Sequence, residues 1–156
     1  SSIVHVDESL CPIDEIEKDF SIFTQMMVKV LAFLQTDDVS LPILVKNFLI
    51  GDPQLASDID FNIGLLNTYV PNPEGPPLAL IMLKNDVNFY IENVGQAPII
   101  IDGYQIWPGE TTKLNNNAVI EMSGCDFVFC INDIIINALK EEVTRISHES
   151  LFIYKT

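Results

Sequence analysis

From residue 79 onward the chain repeats one short unit, an apolar run followed by a turn signal, and this repetition constrains the fold more than any other feature. The runs lie at 79–83, 88–92, 98–101, 111–114, 119–122 and 126–131. Between and beside them stand Lys84-Asn85-Asp86, Asn93-Val94-Gly95, Asp102-Gly103, Pro108-Gly109, Asn115-Asn116-Asn117 and Ser123-Gly124. Asp-Gly between apolar runs is a strong hairpin signal, because both central positions of the tight turn need positive φ. Many short strands with frequent turns specify a β-sandwich or barrel. Upstream, Asp58-Ile59-Asp60-Phe61-Asn62-Ile63-Gly64-Leu65 alternates as a half-buried strand does. Val70-Pro71-Asn72-Pro73-Glu74-Gly75-Pro76-Pro77, with four prolines and a glycine, excludes regular structure. A helix is predicted over about 133–146, with Asn132 or Asp133 as its cap, and Leu151-Phe152-Ile153-Tyr154 reads as a last strand or a partner-bound tail.

Before Gly51-Asp52-Pro53 the spacing predicts helices. Ile16, Phe20, Phe23, Met27, Val30, Leu31 and Leu34 recur at three- and four-residue steps, an amphipathic stripe. Asp14, Glu15 and Glu17 suit the first-turn dipole, and Pro12 fits at the start. A second, shorter helix is expected, with Ser40 as cap, Pro42 in the first turn, apolar Ile43, Leu44, Phe48 and Leu49, and Gly51 as its stop. Two such helices cannot enclose this much apolar surface, so the first stripe fits either a small helical core or a helix docked on a partner. The organisation expected is a helical segment at 1–56, a sandwich with its helix at 57–147 and a tail at 148–156.

Charge excludes one class of partner. The 156 residues carry a net charge of −14, with Arg145 the single arginine among eight basic residues. Direct nucleic-acid binding needs Lys and Arg to neutralise phosphates and is not expected; basic protein partners are. No apolar run reaches the roughly 18 residues of a membrane span, and no basic leader suggests a secretory signal. Three cysteines, Cys11, Cys125 and Cys130, are too few and odd in number for a disulfide framework, which suits a reducing intracellular compartment.

Together, Asn88-Phe89-Tyr90-Ile91-Glu92-Asn93-Val94-Gly95, Pro98-Ile99-Ile100-Ile101-Asp102-Gly103, Pro108-Gly109-Glu110, the stretch from Leu114 to Gly124, and Phe127-Val128-Phe129-Cys130-Ile131-Asn132 resemble the second half of a forkhead-associated (FHA) domain. The resemblance is specific between Leu83 and Lys140. It implies an antiparallel sandwich of about ten or eleven strands, mainly β, with an N-terminal helical segment and a C-terminal helix. It also implies a protein-interaction module rather than an enzyme, with protein partners, no cofactor and no metal. FHA domains hold phosphothreonine peptides through loops at one end, using an arginine after a glycine, a serine in S-R-x-H and an asparagine in N-G. Here Gly75-Pro76-Pro77-Leu78 stands where S-R-x-H would fall, and Arg145 lies beyond the sandwich. Lys84, Asn93 and Gly95 are what remains of the phosphate loops. Without an arginine clamp, little offsets the desolvation of a dianion. The resemblance further implies a subunit of a nuclear chromatin-remodelling or histone acetyltransferase complex. The alternative is a competent phosphothreonine reader.

Catalytic signatures are lacking. His5 and His148 stand at opposite ends of the chain, away from any serine–carboxylate pair, and there is no phosphate loop or H-E-x-x-H. Asp58 and Asp60 read as a solvated strand face.

Overall fold

A computed structural model of the chain describes residues 30–155. Period-two burial dominates it, as in β11 (Cys125–Ile131), where Cys125, Phe127 and Phe129 are buried and Asp126 and Val128 exposed. The other strands are β1 (Ala32–Gln35), β2 (Ser40–Ile43), β3 (Asn47–Gly51), β4 (Phe61–Asn62), β5 (Leu78–Leu83), β6 (Phe89–Asn93), β7 (Ile99–Ile101), β8 (Tyr104–Ile106), β9 (Thr111–Lys113) and β10 (Ala118–Met122). They form a six-stranded sheet, β2-β1-β11-β10-β7-β8, and a five-stranded sheet, β4-β3-β5-β6-β9. All pairings are antiparallel except β3 with β4. One helix, α1 (Asp133–Lys155), follows β11.

The two sheets meet over a continuous apolar core. Phe89 of one sheet meets Phe129 of the other edge to face, ring centroids 5.0 Å apart. This geometry sets the positive ring edge against the negative face of its neighbour. Ile135, Ile136 and Leu139 bring α1 into the same core.

The turns follow their residues. Asp102 and Gly103 have φ of 50° and 83°, and Ser123 and Gly124 have 49° and 79°. Two successive left-handed residues give the primed hairpin turn, whose twist matches that of the strands. The two glycines differ in surroundings. A Cβ on Gly124 would lie 2.6 Å from the Thr68 carbonyl oxygen, whereas nothing stands within 4 Å of one on Gly103.

Several expectations are corrected. Val30, Leu31 and Leu34 are not on a docking helix: all three are buried, and Leu34 lies in β1, between β2 and β11. An unbroken apolar run carries no periodicity that separates buried strand from helix, and pairing on both sides of β1 decides for the strand. The predicted second helix is β2 and β3. Pro42 is no first-turn proline but an exposed residue of an edge strand, where its missing N–H costs nothing. Phe48 and Ile50 alternate into the core from β3, so Gly51-Asp52-Pro53 is a loop inside the sandwich, whose first described strand begins at Ala32. Ile16, Phe20, Phe23 and Met27 lie outside the described residues.

The strand expected from Asp58 onward is only Phe61–Asn62, because the Asn62 side chain accepts from Gly64 N at 2.9 Å and caps a 3-10 turn over Ile63–Leu65. β8 has no counterpart among the apolar runs of the sequence, since Tyr104 and Gln105 are exposed. The helix runs on through Lys155, so Leu151-Phe152-Ile153-Tyr154 is helical rather than a strand.

Candidate functional site

Strand direction sorts the loops to two ends. Residues 36–39, 52–60, 66–77, 94–98, 107–110 and 123–124 lie at one end, here called the apex; residues 44–46, 84–88, 102–103 and 114–117 lie at the base.

The apex is organised by its own side chains. Asn93, at the end of β6, is fully buried. Its Nδ2 donates to the carbonyl oxygens of Ala97 and Ile106, both at 2.9 Å, and its Oδ1 accepts from Gly95 N at 3.0 Å. Both amide hydrogens and the carbonyl are therefore used within the protein, tying the 94–98 loop to β8. Gly95 belongs to that same turn, and Val94 N donates to Leu78 O at 3.0 Å. Tyr69 Oη donates to Asp52 Oδ2 at 2.8 Å, joining two further apical loops. Burial and then the Asp52 carboxylate push the Tyr69 phenol up to about 12. Glu110 Oε1 accepts from Trp107 N at 2.7 Å, and Asp60 Oδ2 accepts from Leu49 N at 2.8 Å.

The charge of the apex is of one sign. Its loops carry Asp37, Asp38, Asp52, Asp58, Asp60, Glu74 and Glu110 and no lysine or arginine. The base holds Lys46 and Lys84 in its turns and Lys113 at the end of β9. A hollow of about 200 Å³ there is lined by Lys113, Lys140, Asn88, Asn115 and Asp133 among others. Lys84 is basal: its Nζ sits 4.7 Å from the centroid of the Tyr90 ring. The Tyr90 hydroxyl donates to Asp86 at 2.5 Å, which raises the phenol above its ordinary value. Desolvation raises the Asp86 carboxyl, but the hydrogen bonds from Tyr90 and Asn88 outweigh it and hold the group low. Of the three residues singled out as a phosphate-loop remnant, Asn93 and Gly95 are together at the apex. Lys84 is the length of β6 away, roughly 15 Å at 3.4 Å per residue.

Arg145 lies in α1, in none of the apical loops. It is held by Glu142 and by Glu149 (2.7 Å), and the hydrogen bonds from its guanidinium to these carboxylates raise its pKa above the ordinary value. Cys125 is buried and Cys130 half-buried on the opposite face of β11; both are free thiols. Among the described residues no group of three His, Cys, Asp or Glu is placed to hold a metal, and no helix is long and apolar enough to cross a membrane.

No protein-family model matches the chain. Among solved structures it is similar to the N-terminal FHA domain of S. cerevisiae Rad53p in complex with a phosphothreonine peptide, with a TM-score of 0.55 at 12% identity over 70% of this chain and 99% of that one. It is similar also to the FHA1 domain of yeast Rad53 solved by NMR, with a TM-score of 0.53 at 13% identity over 82% and 94%. A third match is Rad53 1-466 in complex with AMP-PNP, with a TM-score of 0.58 at 13% identity over 81% of this chain and 37% of that one. The fold is thus an FHA-type β-sandwich. The structure adds the bonding of Asn93, whose acceptors lie four and thirteen residues away and leave no local sequence signal.

Proposed function

We propose that this chain is a non-catalytic protein-interaction scaffold, an FHA-type sandwich that does not read phosphothreonine through its apical loops. The observation that carries the proposal is the apex itself: seven loop carboxylates (Asp37, Asp38, Asp52, Asp58, Asp60, Glu74 and Glu110), no cation, and an Asn93 amide already bonded within the protein. A phosphate dianion arriving there would lose hydration and meet like charge, with no guanidinium to offset either cost.

The setting we propose is a larger nuclear assembly of the chromatin-remodelling or histone acetyltransferase type. This rests on resemblance to microspherule-type FHA domains. It is carried by Leu83-Lys84-Asn85 before the aromatic strand, the arginine-poor segment Asn93 to Gly103, and Val128-Phe129-Cys130-Ile131-Asn132 running straight into a helix. Ile16, Phe20, Phe23 and Met27 are proposed as partner contacts on their spacing alone.

Calorimetric titration with a degenerate phosphothreonine-peptide library and its unphosphorylated counterpart tests the reading. No phosphate-dependent heat is expected. Micromolar binding that requires the phosphate would make this a competent reader instead.

A further inference from the structure

Beside the apex a groove of about 510 Å³ opens between residues 36–39, the segment 65–68 and the 123–124 turn. Its apolar surface is open to solvent. Leu65 is 75% exposed, and Val39 and Val128 are each 37% exposed. Around them stand Asp37, Asp38 and Asp126, all exposed. None of these three carboxylates accepts a hydrogen bond or joins an ion pair among the described residues, and no lysine or arginine lines the groove.

The walls are held from within. Thr36 Oγ1 accepts from Val39 N at 3.0 Å, and Thr36 N donates to Val39 O at 2.8 Å. The 36–39 turn is closed by these bonds, which leaves the neighbouring carboxylates to solvent. Asp126 also stands directly across the β10–β11 ladder from Glu121. Like charges opposite one another in a sheet repel, and among the described residues no ion pair joins either carboxylate. A cation delivered from outside would do so.

We propose that this groove docks an extended, basic segment of a partner protein, with an aliphatic side chain against Leu65, Val39 and Val128 and Lys or Arg on either side of it facing Asp37, Asp38 and Asp126. The proposal deepens the scaffold reading and rests on it, giving the partner's chemistry and the place it binds. Apolar contact supplies the anchor, while the rim charges steer encounter and orientation.

The probe is a fluorescein-labelled peptide, Lys-Leu-Arg-Ile-Lys, compared with Glu-Leu-Glu-Ile-Glu and Lys-Ser-Arg-Ser-Lys, by anisotropy and by amide shift mapping on the full chain. The first peptide is expected to bind saturably and to shift residues 36–39, 65–68 and 124; the other two are expected not to bind. Raising salt from about 50 to about 300 mM should weaken it, since the rim is solvent-exposed. The D37N/D38N/D126N variant and Leu65→Ser should each lose about tenfold in affinity, with k_on falling in the former. A control with the same loss of charge elsewhere, D58N/E74Q/E141Q, should bind as the unaltered chain does. All these positions are exposed, so folding is not at issue. Absence of saturable binding overturns the proposal, as do shifts that map outside the groove or equal weakening by both triple variants. Phosphate-dependent binding in the calorimetry would overturn the scaffold reading and leave the groove result standing, so the two failures are distinguishable.

Discussion

The two ends of the sandwich are built from the same kind of turn and come out chemically different. At the apex, loops are fastened to each other by buried or half-buried side chains, Asn93 to Ala97 and Ile106, and Tyr69 to Asp52. At the base, contacts such as Lys84 over Tyr90 are exposed and local. The loops of the apex have carboxylates without cations, whereas those of the base mix Lys46 and Lys84 with Asp86 and Asp102. The contrast teaches that the bonds that shape a loop cluster need not involve the groups that would meet a ligand.

The comparison breaks most directly at Asn93. Asn93→Ala strands two carbonyls and an N–H at a buried site and should destabilise by about 3 kcal/mol in urea unfolding, with unchanged m. A cost near zero would mean that the apex is not held from within.

The glycine pair gives a matched test. Gly124→Ala at the apex and Gly103→Ala at the base impose the same left-handed backbone, but only the first meets a backbone oxygen. The expected losses are about 2 kcal/mol and about 1 kcal/mol, read as a difference in denaturant midpoint.

Tyr69→Phe should cost about 1 kcal/mol near neutral pH. Because folding raises this phenol from 10.0 to about 12, its contribution is complete below pH 10 and lost as pH climbs toward 12. The substitution should therefore flatten the alkaline limb of a stability–pH curve. An unchanged limb would detach Tyr69 from the apex.

Smallest of all, Lys84→Gln at the base should cost about 0.5 kcal/mol or less, since an exposed cation–π contact is weak. A loss as large as that of Asn93 would erase the contrast between the ends.

Legibility in the sequence followed the turns. Strands β5 to β7 and β9 to β11 could be placed because Asp-Gly, Ser-Gly and the asparagine run force the chain to reverse at stated residues. β1 to β3 could not. Val30-Leu31-Ala32-Phe33-Leu34 is apolar throughout and satisfies either period, and Pro42 reads as a helix start until its edge position is known. β8 has exposed Tyr104 and Gln105 and no apolar run to mark it. Of the site, the absence of an arginine from the loops was plain in the sequence. The basal position of Lys84 and the internal bonding of Asn93 were not, because both depend on which strand ends share a side of the sandwich. The groove draws on three separate stretches of chain, and no spacing rule joins them.

The pairing of β1 with β11 sets Ala32 opposite Ile131, and the Asn132 side chain reaches back to the Val30 carbonyl at 2.8 Å. The first described strand is thus locked by the last described one. Closure across nearly the whole described chain is entropically expensive and slow, and it must await the synthesis of β11. Until then β10 has an open edge, and β1 and β2 have nothing to pair with but each other. A folding intermediate stalled at this point would expose the partner of β11, so truncation after Met122 should yield aggregating chains instead of a smaller sandwich.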